Sequence, residues 1–291
     1  MLARASILTP MNRLTTEKRS GVVAALVEGM SIRATCRLTG IAKGTVLKLL
    51  VELGAACRAY QDATLRNLKC RRIQCDEIWS FVGMKQKTAV RKGQAGVGDI
   101  WTWTALDADT KLVPSFAVGG RDSSMAYAFI QDLADRLDSR IQLTTDGHKV
   151  YIEAVEAAFG SAIDYSMLVK LYGADRAGEA RYSPAVCIGT RTECCSGNPD
   201  PKHVSTSYVE RQNLTMRMSM RRFTRLTNAF SRKAANLEAA VSIYFMWYNF
   251  GRIHQSLRIT PAMAAGVSDH VWTLDEVIGL LEAQERKVAS N

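Results

Sequence analysis

The spacing of apolar residues separates a helical start of the chain from a longer part that contains strands. Over residues 15–53 apolar positions recur three and four apart, which predicts three short helices. Ser31 is suited to cap the second helix, and Gly40 to form the turn after it. Two amphipathic helices joined by a glycine turn indicate a helix-turn-helix unit; a generic three-helix packing unit is the alternative.

From residue 73 onward the pattern alternates between strands and helices. Strands are predicted over residues 73–82, 100–107, 111–118, 141–145 and 167–172. Helices are predicted over residues 122–137, 150–159, 234–250 and 272–281, whereas prolines and glycines predict an irregular segment over 182–204. A strand meander followed by helix, strand, helix and strand is the element order of the ribonuclease-H-like fold. We therefore expect an α/β fold: a ribonuclease-H-like catalytic domain, with a mixed five-stranded sheet flanked by helices, preceded by an all-α helix-turn-helix domain.

These patterns divide the chain into five segments. They are a flexible N-terminus (1–12), the helix-turn-helix domain (13–55), a basic helical connector (56–72), the catalytic domain (73–255) and a C-terminal tail with a terminal helix (256–291).

Charge adds a prediction about the partner. The formal net charge is +10, and residues 1–75 hold 13 Lys or Arg against 4 Asp or Glu. Residues 211–233 hold seven basic residues and no acidic one. Basic charge in blocks indicates a polyanionic partner, for which nucleic acid is the first candidate; a solvated basic face is the alternative.

Three acidic residues stand where this fold would bring them together. Asp76 and Asp146 lie in or directly after predicted strands, and Glu210 opens a helix-like basic segment. Carboxylates are the ligands that Mg²⁺ prefers, and phosphodiester chemistry commonly uses two such ions. We expect Asp76 to bridge both ions, Asp146 to bind one and Glu210 the other. A single Asp at a strand end is more often a cap or turn residue, so the hypothesis depends on the three occurring together.

Three further residues, Glu77, Arg217 and His148, are expected near the acidic residues. Glu77 is left outside the metal set, because adjacent residues of a regular strand point to opposite faces. Arg217 follows Glu210 by seven residues, so it should lie on the same helix face and could contact a DNA phosphate; one more exposed basic residue is an equal alternative. His148 is a possible auxiliary residue that could orient water or phosphate, although a plain loop histidine is the more common case.

Candidate DNA-binding residues lie in both basic regions. The recognition helix of the helix-turn-helix would present Lys43, Thr45 and Lys48. The basic segment after Glu210 adds Arg217, Arg221 and Arg222.

The cysteines and the longest apolar segment indicate in which cellular compartment the protein is expected. Seven cysteines show no metal-binding spacing, so no structural zinc is expected, and the odd number without a secretory signal predicts reduced thiols in a cytoplasm. The apolar run over 239–250 is too short to cross a bilayer, and no membrane partner is expected.

Several motifs resemble those of the insertion-sequence-one family of DDE transposases. They are Cys-Asp-Glu-Ile-Trp-Ser-Phe-Val-Gly at 75–83, Thr-Asp-Gly-His at 145–148, Ser-Thr-Ser-Tyr-Val-Glu-Arg-Gln-Asn at 205–213 and Tyr-Asn-Phe-Gly-Arg-Ile-His at 248–254. The resemblance implies Asp76, Asp146 and Glu210 as the catalytic triad, with two Mg²⁺ ions for which Mn²⁺ can substitute. Some relatives carry a cysteine-rich zinc segment ahead of the helix-turn-helix, which this chain lacks.

The function implied by the resemblance is cleavage at the terminal inverted repeats of an insertion element, followed by joining of the 3′-hydroxyl to target DNA. Bringing two DNA ends together implies a homodimer or a higher oligomer. The expected location is the bacterial cytoplasm, in association with the nucleoid. A helix-turn-helix regulator with an inactive ribonuclease-H-like domain is one alternative. A simple metal-dependent DNA nuclease is the other.

Overall fold

Helices flank one mixed sheet in the residues that the computed structural model describes, which are 14–173, 187–224 and 228–289. The helices are α1 (Thr16–Val27), α2 (Ile32–Thr39), α3 (Lys43–Thr64), α4 (Gln86–Lys92), α5 (Ser123–Ala134), α6 (Val150–Phe159), α7 (Ser207–Ser219), α8 (Ala234–Met246), α9 (Pro261–Ala264) and α10 (Leu274–Ala289). The strands are β1 (Arg72–Val82), β2 (Gly98–Asp107), β3 (Ser115–Gly119), β4 (Ile141–Asp146), β5 (Ile163–Tyr172) and β6 (Cys187–Ser196). The expected flexible segment 1–12 lies outside the described residues.

The strand order of the sheet is β3-β2-β1-β4-β5-β6. The first three strands form an antiparallel meander, β4 and β5 run parallel to β1, and β6 is antiparallel to β5. This mixed α/β arrangement is compatible with a ribonuclease-H-like fold. The predicted order of strand meander, helix, strand, helix and strand is present from β1 to β5, but α4, which was not predicted, lies between β1 and β2.

The expected number of five strands was wrong, because β6 makes a sixth. This strand lies within the segment that was predicted to be irregular, of which residues 182–186 are outside the described part. Most side chains of β6 are exposed, so no apolar alternation marks the strand. Its hydrogen bonds with β5, which continue through two register irregularities, impose the extended conformation.

Aromatic contacts show which helices cover each face of the sheet. On one face, Trp103 packs against Phe129 of α5 and Tyr151 of α6, with ring centroids 5.9 and 5.4 Å apart. On the other face, Phe116 packs against Phe245 of α8 at 4.8 Å. The sheet is thus buried between α5 and α6 on one side and α8 on the other.

The three N-terminal helices form as the sequence predicts. Ser31 accepts a hydrogen bond from the backbone N–H of Ala34, and Gly40 ends α2 at a positive φ of 68°. The third helix, however, does not end near residue 53 but continues to Thr64 as one 22-residue helix. The proposed boundary between helix-turn-helix domain and connector therefore falls inside a helix.

Helix α3 packs closely on α8, so the N-terminal helices share the core of the sheet. The approach is close at Gly54, where an added Cβ would lie 2.5 Å from the Cβ and 2.6 Å from the Cα of Ala239. The apolar face of α3 extends past this glycine through Ala56 and Cys57, which are buried. A helix-turn-helix domain set apart from the catalytic domain remains a prediction.

The C-terminal helix completes this helical layer. The rings of Tyr60, Phe250 and Trp272 pack together with centroids 4.9 to 5.6 Å apart. Arg19 of α1 lies 3.8 Å from Glu282 and 3.6 Å from Glu285 of α10. The expected tail thus packs against the N-terminal helices.

All seven cysteines are free thiols. None of the helices in the described ranges is long and apolar enough to pass through a bilayer.

Replacing Gly54 with alanine should destabilise the protein although alanine favours helices. The methyl group would meet backbone atoms of Ala239 that cannot move aside, and overpacking of this kind costs about 1–3 kcal/mol. Gly21→Ala is the matched control, because nothing lies within 4 Å of an added Cβ in α1, and it should stabilise by about 0.5–1 kcal/mol. Thermal unfolding of both variants checks the contact; equal effects would contradict it.

Candidate metal centre

Three carboxylates meet at the edge of the sheet where β4 ends. The parallel pairing of β1 and β4 sets Cys75 opposite Thr145, so the next residues, Asp76 and Asp146, lie side by side. Asp76, Glu77 and Asp146 each offer an oxygen within 4.8 Å of the others. This geometry could hold a divalent cation.

The structure corrects the exclusion of Glu77 from this group. Asp76 pairs across the sheet with Thr104, and Glu77 with Trp103, so their side chains do leave on opposite faces. Strand β4 ends at Asp146, however, whereas β1 continues to Val82. The carboxylate of Asp146 can therefore approach both faces of β1 at this edge. Strand alternation alone does not reveal this, because it ignores where the neighbouring strand stops.

Asp76 is held by two donors and is largely desolvated. Its Oδ1 accepts from the backbone N–H of Glu77 at 2.8 Å, and its Oδ2 accepts from Nδ2 of Asn213 at 2.9 Å. Burial, followed by repulsion from Asp146, raises the pKa of Asp76 to about 6. A cation bound nearby would stabilise the ionised carboxylate of Asp76 and lower this pKa.

The side chain of Glu77 is also largely buried, with 1% of it exposed. Its Oε2 accepts from Nε of Arg121 at 3.3 Å, and Arg121 also lies 3.5 Å from Oδ2 of Asp146. Burial, and next the charge of Asp146, raises the pKa of Glu77 to about 7 despite this guanidinium. Among the described residues, Oε1 of Glu77 and the hydroxyl of Tyr151 are buried without a hydrogen bond of normal geometry.

Glu210 faces the same cleft from α7. Its Oε2 accepts from Nζ of Lys170 at 2.5 Å and its Oε1 from the hydroxyl of Thr206. The cleft has a volume of about 760 Å³ and is lined by Asp76, Glu77, Asp146 and Glu210. Glu210 does not belong to the group whose oxygens lie within 4.8 Å of one another. The structure thus brings all members of the predicted triad to one cleft and two of them into contact range.

Two amides that the sequence analysis missed dock α7 on β1. Oε1 of Gln74 accepts from the backbone N–H groups of Tyr208 and Val209 at 2.9 and 3.1 Å. Gln74 and Asp76 share a face of β1, and one turn later in α7 Asn213 donates to Asp76. The amide of Gln74 satisfies two otherwise unpaired donors of the helix start, which fixes Glu210 relative to the strand.

The predicted auxiliary residues also line this cleft. Arg217 lies on the same side of α7 as Glu210, as the seven-residue spacing predicted. The backbone N–H of His148 donates to Oδ1 of Asp146 at 3.0 Å, while its ring stacks on Trp103. Burial, and next the charge of Arg121, lowers the pKa of His148, so the ring is neutral near pH 7.

The other candidate DNA-binding residues lie away from this cleft. Lys48 is exposed and lies 3.7 Å from Glu52, and Thr45 is half-buried in the first turn of α3. Lys43, Arg221 and Arg222 line a second cavity, between the N-terminal helices and the segment after α7.

No family model matches the chain, and no curated protein matches it. One solved structure that it resembles is that of a piggyBac transposase synaptic complex with hairpin DNA. The match has 11% identity and a TM-score of 0.38, and it covers 96% of this chain and 74% of that chain.

The donor set of the cleft fits a divalent metal ion. Three carboxylates lie within ligand distance of one another, and Oε1 of Glu77 is buried beside the Tyr151 hydroxyl without a hydrogen bond of normal geometry. Hard cations such as Mg²⁺ prefer oxygen ligands of this kind and retain several waters, for which the open cleft leaves room. Asp76, Glu77 and Asp146 could hold such an ion.

The raised pKa of Glu77 predicts a stability difference that depends on pH in metal-free protein. The folded state holds the proton of Glu77 more tightly than the unfolded state, so stability is complete below about pH 4.5 and is lost as pH rises to about 7. Wild-type protein should therefore lose about 1–3 kcal/mol relative to Glu77→Gln across this window.

Urea unfolding in a chelating buffer at several pH values measures this difference. Glu156→Gln is the control, because it removes an exposed carboxylate from α6. If the difference in free energy of unfolding between wild type and Glu77→Gln does not change with pH, Glu77 ionises in the folded protein as it does in the unfolded chain.

Proposed function

We propose that the protein is a metal-dependent DNA transposase of the DDE type, which cleaves DNA strands and joins the 3′-hydroxyl to target DNA. The observation that carries the proposal is the convergence of Asp76, Glu77 and Asp146 at one sheet edge, with Glu210 facing the same cleft. The motif resemblance to insertion-sequence-one transposases and the blocks of basic charge also support it.

The residues of the cleft have distinct roles in this proposal. When bound, Mg²⁺ would polarise the phosphodiester and activate the attacking oxygen. Asp76, Glu77 and Asp146 would hold the metal, and Glu210 would add a carboxylate from the facing helix. Asn213 would keep the carboxylate of Asp76 in position. Water and then the freed DNA hydroxyl are the nucleophiles, so no covalent bond between protein and DNA is required.

Basic residues beside the carboxylates would receive the DNA phosphate. Arg121, Lys170 and Arg217 line the cleft. Arg121 and Lys170 are ion-paired with the carboxylates, and metal binding would release their charges toward the phosphate. The cleft therefore combines sites for cations and for a polyanion.

Recognition of the element ends is proposed for residues 31–53. Lys43, Thr45 and Lys48 of α3 would contact the terminal inverted repeat, and a homodimer or larger assembly would hold two ends together. Both statements depend on the transposase proposal.

The decisive test is Mg²⁺-dependent nicking and strand transfer on a labelled duplex that carries the inverted repeat flanking the gene. Asp76→Asn and Glu210→Gln should each reduce product at least 100-fold while binding to the duplex persists, because each removes a metal ligand. Asp138→Asn, an exposed position at the opposite end of β4, should retain full activity.

The products separate the alternatives. Nicking without strand transfer would identify a simple nuclease. Specific binding without any product, in Mg²⁺ or Mn²⁺, would identify a DNA-binding regulator and overturn the proposed activity. Loss of binding in Glu210→Gln would assign a structural role to Glu210.

A further inference from the structure

A second cavity, lined by basic residues, separates the N-terminal helices from the segment that follows α7. Its volume is about 700 Å³. The basic side chains that line it are Arg33, Arg37, Lys43, Arg221, Arg222 and Arg232. None of its described lining residues is acidic. Like charges gathered around one space repel one another, so the arrangement favours an anionic occupant.

The cavity is assembled from two parts of the chain. Arg33 and Arg37 lie one turn apart on α2, and Lys43 opens α3. Arg221 and Arg232 belong to the segment between α7 and α8, on the opposite wall. A ligand that satisfied both walls would therefore be held by the predicted recognition unit and by the catalytic part together.

The guanidinium of Arg222 is the lining group that an anion would stabilise most. Its guanidinium donates to the hydroxyl of Ser231 at 2.7 Å, and no carboxylate of the described residues lies within ion-pair distance. Burial without a compensating charge lowers the pKa of Arg222 to about 10. A desolvated guanidinium is costly unless an anion pairs with it, and Arg binds phosphate oxygens in two-pronged geometry.

Three further lining residues suit a nucleic acid strand better than a small anion. Asn228 and Asn236 offer amide donors, and the half-buried ring of Phe230, which packs on Phe81 with centroids 4.8 Å apart, offers aromatic surface on which a base can stack. Basic and aromatic residues in one groove are typical of surfaces that follow a DNA backbone.

The cavity also adjoins the helix that carries Glu210. Gly29 lies against the end of α7, where an added Cβ would be 2.9 Å from the carbonyl oxygen of Ser219. Met220 and Arg221, which follow α7 directly, line the cavity, whereas Glu210 and Arg217 line the carboxylate cleft. One helix thus connects the two spaces.

We propose that this cavity binds the phosphodiester backbone of a DNA strand and holds it between the N-terminal helices and the catalytic part. The inference rests on the proposed function for its choice of DNA. Lys43 would then contact DNA from the wall of the cavity, whereas Thr45 and Lys48 lie outside it.

The test measures binding by full-length protein in a chelating buffer, so that it is independent of cleavage. Fluorescence anisotropy with labelled single-stranded and double-stranded oligonucleotides compares wild type with the double variant Arg37→Ala and Arg232→Ala. Both residues are exposed and lie on opposite walls, so folding should be preserved. Lys69→Ala with Arg71→Ala is the control, because it removes two exposed charges at the start of β1.

The cavity variant should bind the preferred DNA form about tenfold more weakly than the control variant. Its slope of log affinity against log salt should be smaller by about 1.4 for a single strand or about 1.8 for a duplex, since two phosphate contacts are lost. The oligonucleotide, single-stranded or double-stranded, for which the cavity variant loses more affinity identifies the form of DNA that occupies the cavity.

The outcomes distinguish this inference from the proposed function. If wild type binds and cleaves DNA but both double variants bind equally, the cavity inference is wrong and the transposase proposal stands. If wild type binds neither form of DNA, both fail. A weakened cavity variant beside an unaffected control supports the cavity even where cleavage is absent.

Discussion

The parallel pairing of β1 with β4 is the constraint on which the site depends. It aligns Cys75 with Thr145 and so places Asp76 beside Asp146 at the edge where β4 ends. Because β1 continues beyond this edge, Glu77 can also reach the carboxylate of Asp146. A shift of the pairing by one residue would turn each side chain to the other face and disperse the carboxylates. The register is secured by the buried residues on both sides of these strands, so the core of the protein determines the geometry of its most polar region.

The carboxylate cluster has an electrostatic cost that the fold alone does not explain. Burial, and next the charge of Asp146, raises the pKa values of Asp76 and Glu77 to about 6 and about 7. Arg121 and Lys170 offset part of this repulsion, but the free energy of unfolding would gain more from apolar side chains at the same positions. Groups that are kept ionisable at the expense of stability are typical of functional sites. A bound divalent cation removes the repulsion, which explains why the arrangement suits a metal enzyme.

Sequence patterns predicted the elements that local spacing controls and missed those that tertiary pairing controls. The strands that carry Asp76 and Asp146 follow from apolar patterning, whereas the helix that carries Glu210 was predicted only as a helix-like basic segment and begins three residues earlier, at Ser207. Strand β6 has no such pattern, because its conformation depends on hydrogen bonds with β5. The length of α3 was underestimated because residues 54–64 were assigned to a connector, and their packing on α8 is a tertiary contact that local spacing does not encode. Glu77 was left out of the metal set and Gln74 was missed for related reasons, because the place of Glu77 depends on where a neighbouring strand ends and that of Gln74 on where a distant helix begins. Local spacing encodes neither.

Helix α7 connects the carboxylate cleft at its first turn with the basic cavity at its last turn. Its first turn is docked on β1 through Gln74 and carries Glu210, whereas its last residue, Ser219, contacts Gly29 beside the basic cavity. At 1.5 Å per residue, about 13 Å separate Glu210 from that end. A helix is stiff over this length, so the distance between the carboxylate cleft and the cavity is fixed by the backbone.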